Sequence, residues 1–433
     1  MHLAGLEGQP IGFLHDWSRH TYGWRHKMKG ETGEDNKAIL RDLRKQGITQ
    51  FPLANYLKEM SKFLSMHKNL FAIAIYLLLF ICLLVETSGI SPKPTEEISG
   101  NWLQEEVNVW MSENDVIGGA VSYITADTQY IATGGVIKSG SEVLVRPDHK
   151  FHLGSCSKAV TSWLIMRQVE AGNLHLDSSL ASLVDFPIKA AYQDKKLKDV
   201  LSHQASIPSF TDGKDFGVLP EMEGTALENR ANFAEFVLNM PPLKKTKYSN
   251  AGYALAAHIL EETTGKPLEM QLEAEMERLG VEYGISFPNR ADTLQPWGHW
   301  WEGKTLVSHG PDHPYHLPDF MLSAGDMAMD IESFSRWLQI QLLALDGKGN
   351  FLGQEFAETL HFGRKEYALG WGNGSWKGQR VSEHDGSAGT YFCAAFLLPD
   401  TDQAVAIMIN SATREQINGV KKLAKKIMEQ AGQ

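Results

Sequence analysis

The stretch GSCSKAVTSWLIMRQVEAG, residues 154–172, places a Ser-x-x-Lys spacing at the start of a long apolar segment. Apolar side chains occupy nearly all of its positions, as in a helix that is buried on every side. We therefore predict a buried helix from Ser155 to about Ala171, ended by Gly172. Residues three apart lie on one face of a helix, so the Ser155 hydroxyl and the Lys158 amine are expected to meet.

This pairing of a hydroxyl with an amine suits nucleophilic catalysis. Burial disfavours an ammonium group and lowers its pKa, and a neutral amine can take the proton of an adjacent serine. Backbone N–H groups at the start of a helix can also stabilise a developing oxyanion. The motif alone is weak evidence, because Ser65 and Lys68 share the spacing and because Ser155 has an alternative interpretation as an ordinary helix N-cap.

A second candidate element is Tyr248-Ser249-Asn250, the only Tyr-x-Asn in the chain. It precedes the apolar helical run AGYALAAHIL, so we expect it at a junction between a loop and a helix. Near Lys158 the pKa of Tyr248 is expected to fall, which would make its phenol a proton shuttle. Asn250 is expected to contact a substrate amide. The alternative is an Asn N-cap beside a half-buried tyrosine.

A third element, His384-Asp385-Gly386, lies on a predicted C-terminal strand ahead of Gly389. A histidine at the edge of a strand can bond either the tyrosine phenol or a substrate carboxylate. The alternative is a turn histidine before a glycine-rich bend, and His361 begins a second His-x-Gly in the same chain.

In this order the three elements resemble the serine β-lactamase and penicillin-binding-protein superfamily, in the branch of class C β-lactamases, D-Ala-D-Ala carboxypeptidases and esterases. Three further segments are similar to that family: LSHQASIP (201–208), SAGDMAMD (323–330) and SEHDGSAGTYFCAAFLLPDTDQAVAIMIN (382–410). The resemblance covers roughly residues 100–430. It implies a serine hydrolase that acts through an acyl-Ser155 intermediate on a β-lactam, a D-Ala-D-Ala-type peptide or a small ester, without a cofactor.

The resemblance also implies a role for each motif residue. These roles are acylation of Ser155, proton transfer by Lys158 and Tyr248, substrate binding by Asn250, His384 and Gly386, and an oxyanion hole formed by the backbone N–H groups of Ser155 and Ser387. His384 stands where β-lactamases usually carry a lysine. Because histidine is largely neutral at pH 7 and Asp385 adds negative charge, carboxylate recognition should be weaker. This departure favours an esterase, amidase or peptidase over a true β-lactamase.

The pattern of elements predicts an α+β fold of the α/β sandwich type. Strand-like segments occur near both ends of the main body, and helix-like segments fill its middle. We expect an antiparallel sheet built from N- and C-terminal strands and covered by helices, with an inserted, mostly helical region. Strands are predicted at residues 117–125, 129–137, 150–153, 367–372, 379–386, 390–400 and 403–410, and terminal helices at residues 101–113 and 415–430. The hydrolase domain is expected to span residues 100–432.

An apolar segment, LFAIAIYLLLFICLLV at residues 70–85, precedes this domain. Basic residues stand before it, and small or polar residues follow, which is typical of a signal peptide or a membrane anchor. We expect a signal or anchor at 60–89 and a linker at 90–99, with 1–59 as an upstream extension or cytoplasmic tail. Either interpretation exports the domain to the periplasm or the cell exterior. A buried core helix is the alternative.

The formal net charge is −11, and carboxylates outnumber basic groups after residue 69. Phosphate binding requires a basic surface, so no nucleic-acid partner is expected. The expected partners are a small-molecule or peptide substrate, including peptidoglycan-related ones, and the membrane through residues 70–85 if this segment is not cleaved. Only three cysteines are present, which excludes a disulfide framework. Cys156 and Cys393 are expected to be unpaired buried thiols, with a single bridge as the alternative.

Besides a scaffold that has lost activity, two other functions are alternatives to hydrolysis. The first is a membrane-anchored sensor of β-lactams or peptidoglycan that is acylated and never turns over. The second is metal binding, but the four nearby histidines lack the His-Glu-x-x-His spacing of a helical site, and we predict no metal. These are His299, His309, His313 and His316. The tryptophans of the same stretch, Trp297, Trp300 and Trp301, either line a substrate pocket or pack in the ordinary way.

Overall fold

The computed structural model of the protein describes residues 101–431, which fall within the compact unit Glu97–Gln433. The predictions for residues 1–59, 60–89 and 90–99 lie outside the described residues. Within the described part of the chain, no helix is both long enough and apolar enough to cross a membrane.

Helices dominate the middle of the described chain, and the longer strands lie near its two ends. The helices are α1 (Asn101–Glu113), α2 (Ser157–Glu170), α3 (Leu180–Leu183), α4 (Ala190–Gln193), α5 (Leu197–Leu201), α6 (Ala226–Leu238), α7 (Asn250–Thr264), α8 (Leu268–Leu279), α9 (Pro288–Ala291), α10 (Leu322–Gly325), α11 (Ile331–Leu345), α12 (Gln354–Phe362) and α13 (Arg414–Ala431). The strands are β1 (Gly118–Ile124), β2 (Gln129–Gly135), β3 (Phe151–His152), β4 (Gly284–Ile285), β5 (His299–Glu302), β6 (Thr305–Ser308), β7 (Met327–Met329), β8 (Gly372–Trp376), β9 (Gln379–Ser387), β10 (Phe392–Leu398) and β11 (Gln403–Ile409).

The main sheet has six strands in the order β2-β1-β11-β10-β9-β8, and all neighbours are antiparallel. The N-terminal and C-terminal strands meet at its centre, where Gly119 pairs with Ile409. The prediction of an antiparallel sheet assembled from both ends of the chain, with helices inserted between them, is therefore confirmed.

Alternate residues of the central strands enter two different hydrophobic cores, as the two-residue period of a strand requires. Ala406 and Met408 of β11 join the larger core, which lies on the side of α2, α7 and α11. Val405 and Ile407 join a smaller core with side chains of α1 and α13. Helices thus cover both faces of the sheet, and the larger core lies between the sheet and the inserted helical region.

Several predicted boundaries agree closely with the structure. The first helix has the predicted limits, and β1 and β2 lie inside the predicted strands. The predicted strand at 367–372 is wrong, because β8 begins only at Gly372. Tyr367 instead pairs with Gly372 through an isolated bridge, and Gly370 between them has φ +80°, a conformation that turns the chain back and favours glycine.

Two smaller β structures were predicted only in part, since the predicted strand at 150–153 contains β3, but no strand was predicted at β4, β5, β6 or β7. The first is a three-stranded sheet of order β3-β7-β4, in which Phe151 pairs with Met329. The second is the β5–β6 hairpin inside the stretch rich in Trp and His, where His299 pairs with Ser308. Gly303 turns this hairpin with φ +62°. Strands this short carry too few residues to show a recognisable period.

A buried ion pair fixes the helical region that carries Tyr248 and Asn250. Arg230 of α6 is fully buried, and it contacts Glu261 of α7 at 2.6 Å and Glu269 of α8 at 2.8 Å. Glu261 also accepts a hydrogen bond from the Leu268 backbone at 2.8 Å. Three helices are therefore joined at one guanidinium group.

Candidate active site

Ser155 lies in a 3₁₀ turn, Gly154–Cys156, directly before α2. The α-helix therefore begins at Ser157, two residues later than predicted, and Ser155 precedes its first turn. Its side chain makes no capping hydrogen bond, and the N-cap position of α2 belongs to Cys156, so the interpretation of Ser155 as an ordinary N-cap is wrong. Ser157 holds the turn in place by donating to the Gly154 carbonyl at 2.7 Å.

Lys158 is fully buried, and its Nζ lies 3.1 Å from Ser155 Oγ. The same nitrogen contacts Asn250 Oδ1 at 2.7 Å and the Ala324 carbonyl at 2.5 Å. These neighbours are neutral, so they do not offset the cost of burying an ammonium group. Desolvation lowers the pKa of Lys158 to about 7. The predicted pairing and the predicted fall of this pKa are both confirmed, and the amine is partly neutral at physiological pH.

Tyr248 lies over the same amine, with its ring centroid 4.8 Å from Lys158 Nζ. Its phenol borders the same arm of the cleft as Ser155, which acts to lower the pKa of Tyr248. Desolvation in the cleft raises the pKa of Tyr248 above its ordinary value, and Ser155 opposes this only in part. The expectation that this pKa falls is wrong, since an amine that is itself partly neutral supplies little positive charge. Tyr248 is therefore a protonated phenol that can donate a proton.

Asn250 is the first residue of α7, but it does not cap that helix. The N-cap is Ser249, whose Oγ accepts a hydrogen bond from the Gly252 backbone at 3.0 Å, so the Asn N-cap interpretation is wrong. The Asn250 amide also donates to the Phe210 carbonyl at 2.9 Å, while its Oδ1 faces Lys158. These two contacts fix the orientation of the amide beside the nucleophile. Contact with a substrate amide stays a prediction.

Strand β9 passes close to the turn that carries the nucleophile. A Cβ added at Gly386 would lie 2.5 Å from the Ser155 backbone nitrogen, and one added at Gly154 would lie 2.4 Å from the Ser387 nitrogen. Gly154 also has φ +52°, which favours glycine. The two glycines thus allow the predicted oxyanion-hole residues, Ser155 and Ser387, to approach each other, while their role in stabilising an oxyanion stays a prediction.

His384 lies on β9 as predicted and is buried beside the cleft. Its Nδ1 lies 2.7 Å from the Asp385 carbonyl, and its Nε2 lies 3.0 Å from the Tyr367 phenol. This network assigns the proton to Nδ1 and makes Nε2 an acceptor. Desolvation, reinforced by Lys158, lowers the pKa of His384 to about 3, so the ring is neutral. The expected contact of His384 was with the phenol of Tyr248. The phenol that it contacts in the structure is that of Tyr367.

Sequence reasoning missed two aromatic residues that support the site. The ring of His203 lies 4.2 Å from that of Tyr248 and 4.7 Å from that of Tyr367. His203 also accepts a hydrogen bond from the Ser249 backbone at 3.1 Å. The sequence signal that could have identified His203 is its position in LSHQASIP, one of the segments that are similar to the family. Tyr367 had no local signal, because it is brought to His384 by the turn at Gly370.

The cleft has two arms that meet at Ser155 and Ser387. The first arm has a volume of about 460 Å³, and the second has a volume of about 630 Å³. The first arm is bordered by Tyr248, Tyr367, Gly372, Glu383, His384, Asp385, Gly386, Phe392, Phe396 and Lys421. The second arm is bordered by Phe210–Gly213, Phe216, Asn250, Trp300, Tyr315–Pro318, Met321, Ala324, Gly325, Ala388 and Gly389. All the predicted site residues therefore line the cleft or directly contact those that do.

Of the remaining candidate groups, Trp300 and His316 border the second arm, whereas His299 and the two cysteines are buried in the packing. Among residues 101–431, no cluster of three or more His, Cys, Asp or Glu side chains could hold a metal ion. Both nitrogens of His299 bond the backbone, at Asn410 and Ser139. Cys156 and Cys393 are buried free thiols, which confirms the expectation that they are unpaired and excludes the alternative bridge in this structure.

Residues 103–426 match the β-lactamase family, and the chain belongs to that family. It is similar to penicillin-binding protein 4 of Amycolatopsis lactamdurans, with 26% identity over 339 residues that cover 71% of this chain and 84% of the relative. The fold is similar to the octameric penicillin-binding protein homologue of Pyrococcus abyssi (TM-score 0.60, 20% identity, 73% and 74% coverage). It is also similar to the D-amino acid amidase of Ochrobactrum anthropi (TM-score 0.62, 17% identity, 76% and 99% coverage).

These matches confirm the resemblance to the β-lactamase and penicillin-binding-protein superfamily that the sequence motifs indicated. They also confirm the fold class, an antiparallel sheet covered by helices. The protein therefore has the fold of the superfamily's serine hydrolases.

Proposed function

We propose that this protein is a serine hydrolase that cleaves an ester or a small amide through an acyl-Ser155 intermediate. The observation that carries the proposal is the 3.1 Å contact between Ser155 Oγ and the buried Nζ of Lys158. Its support is the pKa of Lys158, which desolvation lowers to about 7, close to the value at which a general base works best at neutral pH.

In the acylation step, neutral Lys158 takes the proton of Ser155 as Oγ attacks the substrate carbonyl carbon. The oxygen of the tetrahedral intermediate becomes negative and is placed to accept hydrogen bonds from the Ser155 and Ser387 backbone N–H groups. The bond to the leaving group then breaks, and the leaving group departs with a proton from the Tyr248 phenol. The Lys158 ammonium returns a proton to Tyr248, so both groups regain their starting states.

In the deacylation step, a water molecule replaces the serine hydroxyl as the attacking group. Lys158 takes a proton from this water as its oxygen attacks the acyl carbon, and the ester bond to Ser155 Oγ breaks. The serine oxygen regains its proton from the Lys158 ammonium, and the acid product leaves. Lys158 thus acts as the base in both half-reactions and is neutral again at the end of each.

The charges around the first arm favour a neutral substrate over one that carries a carboxylate. His384 is neutral at physiological pH because desolvation lowers its pKa to about 3. The carboxylates of Glu383 and Asp385 border the same arm, and the ammonium of Lys421 lies 3.6 Å from Glu383. A β-lactam or peptide carboxylate would meet repulsion from Asp385 without a dedicated cation. We therefore favour an ester or neutral amide over a β-lactam or a D-Ala-D-Ala peptide.

The test is a hydrolysis panel of p-nitrophenyl esters, a D-Ala-D-Ala peptide and a chromogenic cephalosporin, combined with labelling by a fluorophosphonate. We expect ester turnover and labelling at Ser155, both abolished by Ser155→Ala. Ser375→Ala, at an exposed position of β8, is the matched control and should behave like the parent. Full activity in Ser155→Ala would refute the proposal. One stoichiometric burst without further turnover would instead support the acyl-accepting sensor.

We further propose that the hydrolase domain is exported by the segment at residues 60–89. The support is the uncharged stretch at 70–85, its basic N-terminal flank and the proline-containing segment that follows. Peptidoglycan-related molecules would then be accessible to the domain, and the charges of the first arm favour those without a free carboxylate. Mass spectrometry of the protein recovered from the cell exterior or envelope is the test. Recovery of the hydrolase domain in the cytoplasm alone would contradict export.

A further inference from the structure

The second arm of the cleft differs from the first in the chemistry of its walls. Its apolar side chains include Phe210, Phe216, Trp300 and Met321. Among the described residues that border this arm, none is Lys or Arg. The carboxylate of Asp212, the acidic residue of the group, already pairs with the Lys214 ammonium at 3.0 Å.

The positions of Tyr248 and Asn250 indicate which part of a substrate each arm receives. Tyr248 borders the first arm, and Asn250 borders the second. The leaving group must reach a proton donor as its bond to the acyl carbon breaks, and the donor in the proposed mechanism is Tyr248. The leaving group therefore lies in the first arm, and the acyl group extends from Ser155 into the second.

Trp300 lies on the β5–β6 hairpin and borders the second arm. Its ring packs directly on Gly389, where an added Cβ would lie 2.3 Å from the ring, and Gly389 has φ +88°. The ring of Tyr315 meets that of Trp300 edge to face at 5.6 Å, and the Tyr315 hydroxyl donates to the Ala388 carbonyl at 2.9 Å. Trp300 is thus fixed against the loop that follows Ser387.

Trp300 nevertheless remains 39% exposed, which leaves part of its ring free for a ligand. Large aromatic side chains that are rigidly held and partly exposed provide much apolar contact area at a low cost in conformational entropy. A pocket with such a wall, without a cation and beside the nucleophile is suited to an uncharged acyl group of considerable size.

We infer that the second arm binds an aromatic or bulky apolar acyl group, and that Trp300 determines this specificity. The inference rests on the proposed hydrolase function and names its substrate class: esters or amides of arylalkyl or medium-chain carboxylic acids. The acyl carbon lies at Ser155, the apolar group packs against Trp300, and the leaving group occupies the first arm.

The experiment compares p-nitrophenyl phenylacetate with p-nitrophenyl acetate, which share a leaving group and differ only in the acyl part. We expect kcat/KM to be at least about tenfold higher for the phenylacetate, the order expected for filling an apolar pocket. Trp300→Ala should lose most of this preference. Trp301→Ala is the matched control, because the next side chain on β5 points to the opposite face of the hairpin and does not border the arm; it should retain the preference.

The inference is overturned if the parent protein shows no preference, or if the two tryptophan variants change the preference equally. A second measurement separates it from the hydrolase proposal. Calorimetric binding of phenylacetamide to Ser155→Ala, with and without Trp300→Ala, requires no turnover. Binding that is weakened at least about fivefold by Trp300→Ala supports the acyl site, even if no ester is hydrolysed, in which case only the proposed function fails. Equal binding to the two variants contradicts the inference.

Discussion

Lys158 Nζ lies 2.7 Å from Asn250 Oδ1, and this contact joins α2, the helix that follows the nucleophile, to the start of α7. Because the Asn250 side chain is an uncharged amide, the contact orients the amine without stabilising its charged form as a carboxylate would. The basicity of Lys158 therefore depends on the identity of the residue at position 250.

Asn250→Asp tests this dependence with almost no change in shape. A carboxylate at 2.7 Å favours the ammonium form and should raise the pKa of Lys158 by about 1 to 3 pH units. The acidic limb of the pH profile of kcat/KM should move up by the same amount, and activity at pH 7 should fall about fivefold or more. Asn173→Asp, at an exposed position before Leu174, is the control. An unshifted limb in Asn250→Asp would show that Lys158 is not the base.

The pH profile of kcat/KM of the parent protein should itself have an acidic limb with its midpoint near pH 7. Lys158 acts as a base only when neutral, and its pKa is lowered to about 7, so kcat/KM should rise about tenfold per pH unit below 7 and level off above it. His384, with a pKa lowered to about 3, should add no limb between pH 5 and 8. Initial rates with a p-nitrophenyl ester across this range are the measurement. A midpoint near 10, the ordinary value for lysine, would contradict the assignment.

Gly386→Ala should damage the oxyanion hole. The new Cβ would lie 2.2 Å from the Leu153 carbonyl and 2.5 Å from the Ser155 nitrogen, so β9 or the turn must move. Displacing one donor from an oxyanion typically costs about 10²–10³ in kcat, and we expect a loss of that order. Gly374→Ala on β8 is the matched control, because its Cβ would meet no atom within 4 Å. Equal activities of the two variants would exclude this placement.

His384→Lys should change substrate selectivity. An ammonium in the first arm would attract a substrate carboxylate and partly offset the repulsion from Asp385. We expect the ratio of cephalosporin to neutral-ester kcat/KM to increase about tenfold or more, even if absolute rates fall because the contact with Tyr367 is lost. His384→Gln removes the same ring without adding charge and serves as the control. If both variants shift the ratio equally, the charge at this position does not set selectivity.

Arg230→Ala should destabilise the helical region. The change leaves the buried carboxylate of Glu261 without its partner, which typically costs about 3–5 kcal/mol in the free energy of unfolding. Arg380→Ala removes two partly exposed ion pairs, with Glu358 and with Asp400, and surface pairs contribute about 0–1 kcal/mol each. Urea unfolding of the two variants gives the comparison. A loss below about 1 kcal/mol for Arg230→Ala would show that the buried pair is dispensable.

The sequence predicted those parts of the site that depend on local spacing or on the order of motifs. Ser155 and Lys158 are neighbours because three residues make almost one helical turn, and the strand-like segments at both ends of the main body predicted the sheet. The contact of His384 with Tyr367 was not predictable, because a glycine turn brings them together. The error over the pKa of Tyr248 has a similar cause, since desolvation is produced by residues that are distant in the chain.

The pairing of β1 with β11 has a consequence for biosynthesis. A ribosome synthesises the nucleophile and its lysine well before the strand at Gln403–Ile409 that completes the centre of the sheet. Contacts between segments so distant in sequence form late, because a long loop must close first. A nascent or prematurely terminated polypeptide therefore lacks the support that places Ser387 beside Ser155, and reactivity is acquired only when translation is nearly finished.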